Sequence, residues 1–396
     1  MNLDGLAALR TPEGSAALAA AAELVDRGPL VAAPALRARG FAAEVASAAL
    51  LQAELRQRAV AKFGPDAASM FFTRAGLEQA TRRVVAQRRA ARLRAAGVAT
   101  IADLGCGIGA DAFAFARAGI TVYPVEADPT TAAMAAANAE ALGLAERVIV
   151  HCGDARDADL STVDAVFCDP ARRRAGTGKR VFDPEGYSPP WRFVAGLASR
   201  VPRTVLKLAP GIEHSLIPPG AEAEWVSVDG DVVEAAFWCG PLAEVPRRAT
   251  VHSGDAVVEL TGSGTVPAPV GGVDRYLYDP DGAVLRAHLV AEFAAMVGGE
   301  LADPTIGYVY AAAAVPTPFA RCFAVDDVLP WSLKRLRAAL RERGVGRVEI
   351  RKRGSAVDVE RLRRDLRLAG DNAAVVVLTR VAGAPTALIG RPAASG

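Results

Sequence analysis

With 396 residues, 51% of them apolar and 23% charged, the chain is too long for one ordinary core and has a folded, globular composition, so two or three domains are expected. No stretch approaches the roughly 18 uncharged apolar residues of a membrane-spanning helix. MNLDGLAALRTPEG has no basic leader, and Glu23 and Asp26 break the alanine-rich run behind it, so neither a membrane segment nor a signal peptide is expected. The net charge of +2 conceals two basic ends around an acidic middle: residues 1–95 carry 14 Lys/Arg against 8 Asp/Glu, residues 96–320 carry 16 against 28, and residues 321–396 carry 16 against 8. That asymmetry suits a polyanion held by the ends or, equally, solvated arginine-rich helix faces.

Residues 1–97 predict helices only. SAALAAAAELVDRG and FAAEVASAALLQAELRQRAVAKFG are strong helix formers that end at glycine. GLEQATRRVVAQRRAARLRAAG predicts one amphipathic helix, with Leu77, Ala80, Val84 and Ala91 on its apolar side, arginines opposite and Gly97 as its stop. From residue 98 short apolar runs alternate with helical segments. VATIADLG, ITVYPVE, RVIVHCGD, VDAVFCDP and RTVLKLAP predict five strands, with ADAFAFARAG and PTTAAMAAANAEALG as helices between the first three. AEWVSV, a DGD turn and VVEAAFWCG predict a closing hairpin. Such alternation implies right-handed crossovers and a mostly parallel sheet. Past 241, RRATVHSGDAVVEL predicts a hairpin turning at Gly254-Asp255, VPAPVGG a linker, and RYLYDPDGAVLRAHLVAEFAAMVGG a strand, turn and helix. From 321, RCFAVDD, WSLKRLRAALRERG, RVEIRKRG, VERLRRDLRLAG and AAVVVLTRV alternate strand and helix again, as a smaller α/β or α+β region.

Cys106, Cys152, Cys168, Cys239 and Cys322 are scattered without a CxxC pair, and the four histidines are dispersed. This fits a reducing cytoplasm and predicts no disulfide frame, zinc ribbon or metal site. Cys106 and Cys168 read as small buried packing residues.

DLGCGIGAD, Asp103 to Asp111, follows a strand and opens a helix. Gly105, Gly107 and Gly109 let the backbone turn sharply and approach a ligand, and the helix start behind them offers free N–H groups. The GxGxG spacing differs from the GxGxxG of dinucleotide folds, and alone it suits any tight strand–helix turn. Three acids at strand ends strengthen it. Glu126, closing the second strand, can accept hydrogen bonds from both hydroxyls of a ribose. Asp154, after the third, can accept from an adenine amino group, with the Ala155 N–H facing the ring. Asp169-Pro170 ends the fourth strand, where ligands of open α/β sheets sit. Asp128, before Pro129, reads as a helix N-cap.

DLGCGIG, VEADP, CGDA and DPAR together resemble motifs I to IV of class I S-adenosylmethionine-dependent methyltransferases, over roughly residues 98–240. MFFTRAGLEQAT (70–81) and VEIRKRGSAVDVERLRRDLRLAG (348–370) extend the likeness to a bacterial group, common in actinobacteria, with a C-terminal THUMP-like domain. The resemblance implies an α/β fold with a Rossmann-like class I methyltransferase sheet, parallel with a terminal antiparallel hairpin. It divides the chain into a helical N-terminal domain (1–97), a methyltransferase domain (98–240), a connecting ferredoxin-like or α+β region (241–320) and a THUMP-like domain (321–396). It implies S-adenosylmethionine held by Asp103, the glycines, Glu126 and Asp154, with Phe71, Thr73 and Gln79 facing the cofactor or target pocket.

On the acceptor side, Asp169 and the Pro170 carbonyl can each accept from an exocyclic amine and aim its lone pair at the methyl group. Amino-directed methyltransferases usually show Asp/Asn-Pro-Pro-aromatic. Ala171 and Arg172 depart from that pattern, although a guanidinium could stack on a base in place of the ring. Asp-Pro-Pro-Arg, the pattern of uridine C5-methyltransferases, needs a cysteine after the fifth strand, and LKLAPG has none. YSPPW, Tyr187 to Trp191, resembles the motif of cap-type guanine N2-methyltransferases but follows FDPEG rather than an apolar strand. It reads instead as a Pro-Pro loop capping a helix with Ser188 near its start. The basic loop with Arg172, Arg173, Tyr187 and Trp191 is expected to contact substrate. Arg351, Lys352, Arg353, Arg361, Arg363, Arg364 and Arg367 suit phosphate contact. The expectation is a cytoplasmic S-adenosylmethionine-dependent methyltransferase acting on structured RNA. A small-molecule methyltransferase and an RNA-binding protein with a vestigial pocket are the alternatives.

Overall fold

The computed structural model describes residues 1–171 and 186–393. Arg172 and Arg173, with the rest of the expected substrate loop up to 185, lie outside the described residues. The chain divides into two compact units, Met1–Leu208 with Trp238–Leu242, and Ala209–Phe237 with Ala243–Gly396.

The first unit begins with six helices: α1 Leu3–Leu9, α2 Pro12–Leu24, α3 Pro29–Ala38, α4 Ala43–Phe63, α5 Arg74–Gln79 and α6 Arg83–Ala95. The single helix expected over GLEQATRRVVAQRRAARLRAAG is two, broken around Thr81, whose hydroxyl donates to the Asp111 carboxylate at 2.6 Å. That break resets the phase of the helix. Val85, Ala86, Arg89, Ala90 and Leu93 are buried in α6, whereas Val84 and Ala91 are exposed. An arginine sits on the buried face because Arg89 pairs with Asp111, their side chains only 3% and 8% exposed, and lies 4.8 Å from the Phe167 ring.

The alternating region follows as β1 Thr100–Leu104, α7 Ala110–Arg117, β2 Thr121–Glu126, α8 Pro129–Ala141, β3 His151–Cys152, β4 Ala165–Cys168, α9 Trp191–Arg200 and β5 Thr204–Leu208. These five strands lie in the order β3-β2-β1-β4-β5, and every neighbouring pair is parallel. The buried residues of β1 and β4 supply the core, with Phe115 edge-on to Phe167 at 5.4 Å. The third strand is shorter than RVIVHCGD suggested, since only His151–Cys152 pair as a strand and Val148 makes an isolated bridge to Val122. The strand order reverses between β1 and β4, and ligands of such sheets bind in the crevice beyond the carboxyl ends at that reversal.

The second unit holds β6 Glu222–Val228, β7 Asp231–Trp238, β8 Arg247–Ser253 and β9 Ala256–Gly262, in the order β7-β6-β8-β9. It continues with β10 Tyr276–Pro280, α10 Gly282–Arg286, α11 Val290–Val297, β11 Glu300–Leu301, β12 Val309–Ala311, β13 Ala320–Pro330, α12 Leu333–Glu342, β14 Val345–Lys352, α13 Val359–Leu366, β15 Asn372–Val381 and β16 Ala384–Pro392. A seven-stranded sheet, β11-β12-β10-β13-β16-β15-β14, runs through the expected boundary at 320/321, because β10 pairs antiparallel with β13. Val375 and Val377 pack in one cluster, and Val376 and Leu378 in another with Leu336 and Leu362 of α12 and α13. Burial on both faces explains why this strand reads as an unbroken apolar run.

Three residues expected to meet phosphate have internal partners. Arg351 and Arg353 both pair with the buried Asp279, at 3.0 and 2.5 Å, and lie over the rings of Phe323 and Tyr308. Lys352 donates to the Val357 carbonyl at 2.9 Å. A buried carboxylate is costly unless paired, which accounts for both guanidinium groups on Asp279.

Candidate active site

Beyond Leu104 the chain turns through Gly105, Gly107 and Gly109, at φ of 83°, 56° and 96°. A β-carbon on Gly105 would stand 2.7 Å from the Asp169 carbonyl oxygen, and one on Gly109 2.3 Å from the Phe113 ring. The turn therefore needs glycine for its backbone shape and for close approach. Gly109 caps α7 without a side-chain bond.

Asp103 lies on β1 just before the turn. It is fully buried, and neither carboxylate oxygen has a hydrogen-bond partner. Burial, helped by the charges of Asp111 and Asp169, pushes its carboxyl well above the usual range, against Lys207 and Arg89. Glu126 closes β2, and its carboxylate accepts from the Gly107 N–H and the Asp128 N–H, both at 3.0 Å. Asp128 is the N-cap of α8, accepting from the Thr131 N–H at 2.8 Å. Asp154 accepts from the Arg156 backbone N–H at 2.9 Å and pairs with its guanidinium at 2.6 Å, which holds the Asp154 carboxyl below its ordinary value. Ala155 beside it is buried.

Asp169 follows β4, and its N–H donates to the Leu104 carbonyl at 3.0 Å, so the Asp-Pro turn and the glycine turn lie side by side. Its carboxylate is bonded to the Lys207 ammonium, from β5. Pro170 is buried. Ala171 exchanges two backbone hydrogen bonds with Ser188, at 2.8 and 3.0 Å. YSPPW is thereby joined to the Asp-Pro turn, and it leads into α9 with Pro190 as the N-cap, without a side-chain bond, and Ser188 just before. Tyr187 is buried and Trp191 half-buried at the first position of α9.

Two buried amides hold the segment before α5, one of them against the glycine turn. Asn138 of α8 accepts from the Phe71 N–H at 2.7 Å and donates to the Phe71 and Ile108 carbonyls at 3.1 and 3.2 Å. Gln52 of α4 does the same for Phe72, at 2.9 and 2.7 Å. Phe71 is thus fastened to the glycine turn, its ring 5.3 Å from the Arg56 guanidinium. Thr73 caps α5 through the Gly76 N–H at 2.9 Å, and Gly76 lies so near Ile108 that a β-carbon would come within 2.7 Å. Gln79 is exposed at the end of that helix, where Lys62 donates to the carbonyls of Leu77, Glu78 and Ala80.

Sequence reasoning passed over Asn138, Gln52 and Lys207. A lysine inside the apolar run TVLKL was the one signal available for any of them. An orphaned buried carboxylate beside a glycine cradle fits a ligand that brings hydrogen-bond donors, as the amino-acid end of S-adenosylmethionine does.

Residues 101–174 match the methyltransferase domain family, 320–392 a THUMP domain-like family, and 2–59 a domain of unknown function. An uncharacterized S-adenosylmethionine-dependent methyltransferase found in two strains of Mycobacterium tuberculosis is 33% identical over 352 residues, covering 83% of this chain and 90% of its own. The chain belongs to the S-adenosylmethionine-dependent methyltransferases. A Porphyromonas gingivalis crystal structure assigned to a methyltransferase shares the fold, with a TM-score of 0.70 and 22% identity over 89% of this chain and 92% of that one. In this methyltransferase Cys106 and Cys168 are buried, and burial pushes both thiols far up. Their burial agrees with the reading of both as small packing residues.

Proposed function

We propose that this methyltransferase modifies structured RNA, tRNA or rRNA, at a base nitrogen. The observation that carries the RNA reading is α13, in the part of the chain that matches the THUMP domain-like family. Arg361, Arg363, Arg364 and Arg367 are exposed there, while Leu362 and Leu366 anchor the helix to the sheet. Their ion pairs are weak surface ones, Arg361 with Asp365 at 3.6 Å and Arg363 with Glu360 at 3.2 Å, which a phosphate can displace.

S-adenosylmethionine, when bound, supplies an electrophilic methyl group on a sulfonium. The residues here bind and orient. In this reading Asp103 accepts from the cofactor's amino group, Glu126 from its ribose hydroxyls and Asp154 from its adenine, beside the Ala155 N–H. The backbone of Gly105, Gly107 and Gly109 gives close approach. Asp169 and the Pro170 carbonyl accept from the acceptor amine. Phe71, Thr73, Gln79, Tyr187 and Trp191 are read as contacts for the target, supported by the fastening of Phe71 to the glycine turn and of Ser188 to Ala171. Arg172 and Arg173 are read from the sequence alone as basic contacts for the substrate. Such a site works through position rather than strong acid–base chemistry.

The test is mass spectrometry of tRNA and rRNA nucleosides from cells with and without the gene. Loss of one methylated nucleoside in the deletion strain is expected, and an unchanged profile overturns the RNA reading.

A further inference from the structure

Lys207 is the charged residue of β5, and its side chain is only 12% exposed. Burying an ammonium is unfavourable unless it is paired and hydrogen-bonded. One partner is the Asp169 carboxylate, 32% exposed, in the turn packed against Gly105. Two acids therefore line the join between the cofactor and acceptor halves: Asp103, buried and without a hydrogen-bond partner, and Asp169, bonded to Lys207. Lys207 also acts on Asp103, opposing the upward push that burial, Asp111 and Asp169 give its carboxyl.

We propose that Lys207 is a positioning residue of the methyl-transfer site, which matches the charge of Asp169 and fixes its carboxylate so that one oxygen is held and the other is left to the acceptor. The proposal rests on the reading of Asp169 as the acceptor-orienting acid. A sulfonium is a cation, and its charge disperses as the methyl group leaves. An unmatched carboxylate beside it binds the cation before reaction more strongly than the transition state, which slows transfer. Pairing with Lys207 turns Asp169 into an acceptor of hydrogen bonds with little net field. The acceptor that fits is a neutral group bearing an N–H or O–H, since one carboxylate oxygen has to receive a proton donor.

The experiment compares S-adenosylmethionine, a cation at sulfur, with S-adenosylhomocysteine, neutral at sulfur, by calorimetry on the full chain, so no methyl acceptor is needed. In Lys207→Met the preference for S-adenosylmethionine over S-adenosylhomocysteine should rise roughly three- to tenfold, the effect of one uncompensated charge at short range. Lys207→Arg should keep the ratio within about twofold of the parent, because the charge is kept. Asp169→Asn should lower the ratio, and Lys207→Met/Asp169→Asn should return it near the parent's value. An unchanged ratio in Lys207→Met, or Lys207→Arg behaving like Lys207→Met, overturns the proposal. Should Lys207→Met fail to fold, an unchanged ratio in Asp169→Asn overturns it as well. Loss of binding to both ligands in the folded parent would instead count against the cofactor site itself. A ratio unmoved in Asp169→Asn but raised in Lys207→Met would show that Lys207 acts without Asp169, which overturns the positioning role alone.

Discussion

At the scale of single residues, the site is built from groups kept in costly states. Asp103 is buried with both oxygens unpartnered, which disfavours the ligand-free fold. A carboxyl raised in the folded state binds its proton more tightly there than in the unfolded chain. Its contribution is therefore complete below the ordinary value of 3.8 and is lost as the pH rises through the raised value. Asp103→Asn should raise the melting temperature of the ligand-free protein by roughly 2–4 °C, for a change of about 1 kcal/mol. The gain should be largest on the alkaline side and shrink as the pH falls. The same variant should weaken S-adenosylhomocysteine binding in calorimetry. A variant both less stable and unimpaired in binding would assign Asp103 to the core alone. Glu126 shows what the sequence left open at this scale: strand-end position was readable, but its bonds to the Gly107 and Asp128 N–H groups depend on the finished turn.

At the scale of elements, docking of the N-terminal helices onto the sheet depends on a few buried polar groups. Arg89 and Asp111 join α6 to the start of α7, with Thr81 as a third member. Arg89→Met leaves the Asp111 charge buried with the Thr81 hydroxyl as its remaining neighbour in this group, and should cost about 3–5 kcal/mol in denaturant unfolding. Arg89→Met/Asp111→Leu should recover most of that loss, since removing both charges removes the uncompensated one. The second unit carries a titrating element of its own. His214 stacks on Trp225 at 4.8 Å and on His288 at 3.8 Å, with Arg247 close by, and the Pro210 carbonyl accepts from Trp225 and Arg286. Burial first, then the charges of His288 and Arg247, push His214 down to about 4 from 6.5. Burial and Arg247 lower His288 too. The unfolded chain takes up protons first as the pH falls, so stability is full above about 6.5 and declines toward about 4. Urea unfolding between these values should show that decline, and His214→Phe, which keeps a ring without the titration, should flatten it. These pairs were invisible in sequence, because Arg89 and Asp111 lie in different segments and the predicted amphipathic face put the arginines outward.

At the scale of the whole molecule, the basic ends of the chain were legible and their use was not. The C-terminal arginines divide into Arg351 and Arg353, turned onto Asp279, and those of α13, which face solvent. Changing Arg361, Arg363 and Arg364 together to Gln should weaken binding to tRNA and lower the slope of log affinity against log salt by about 2–3, close to one unit per lost phosphate contact. Changing Arg351 should instead act on stability, through Asp279. An unchanged salt slope in the triple variant would remove α13 from the RNA interface.

The sequence by itself determined the order of strands and helices, the glycine turn, and the acids at the ends of β2 and β4, because hydrophobic periodicity and glycine's freedom act locally. Tertiary structure alone decided what touches those acids. Asp169 meets Lys207 across adjacent strands, YSPPW returns to Ala171, and Asn138 fastens Phe71 to the glycine turn. It also decided that one sheet crosses residue 320. Such contacts join residues tens of positions apart, and their energies depend on burial and distance, which no local pattern of residue types records.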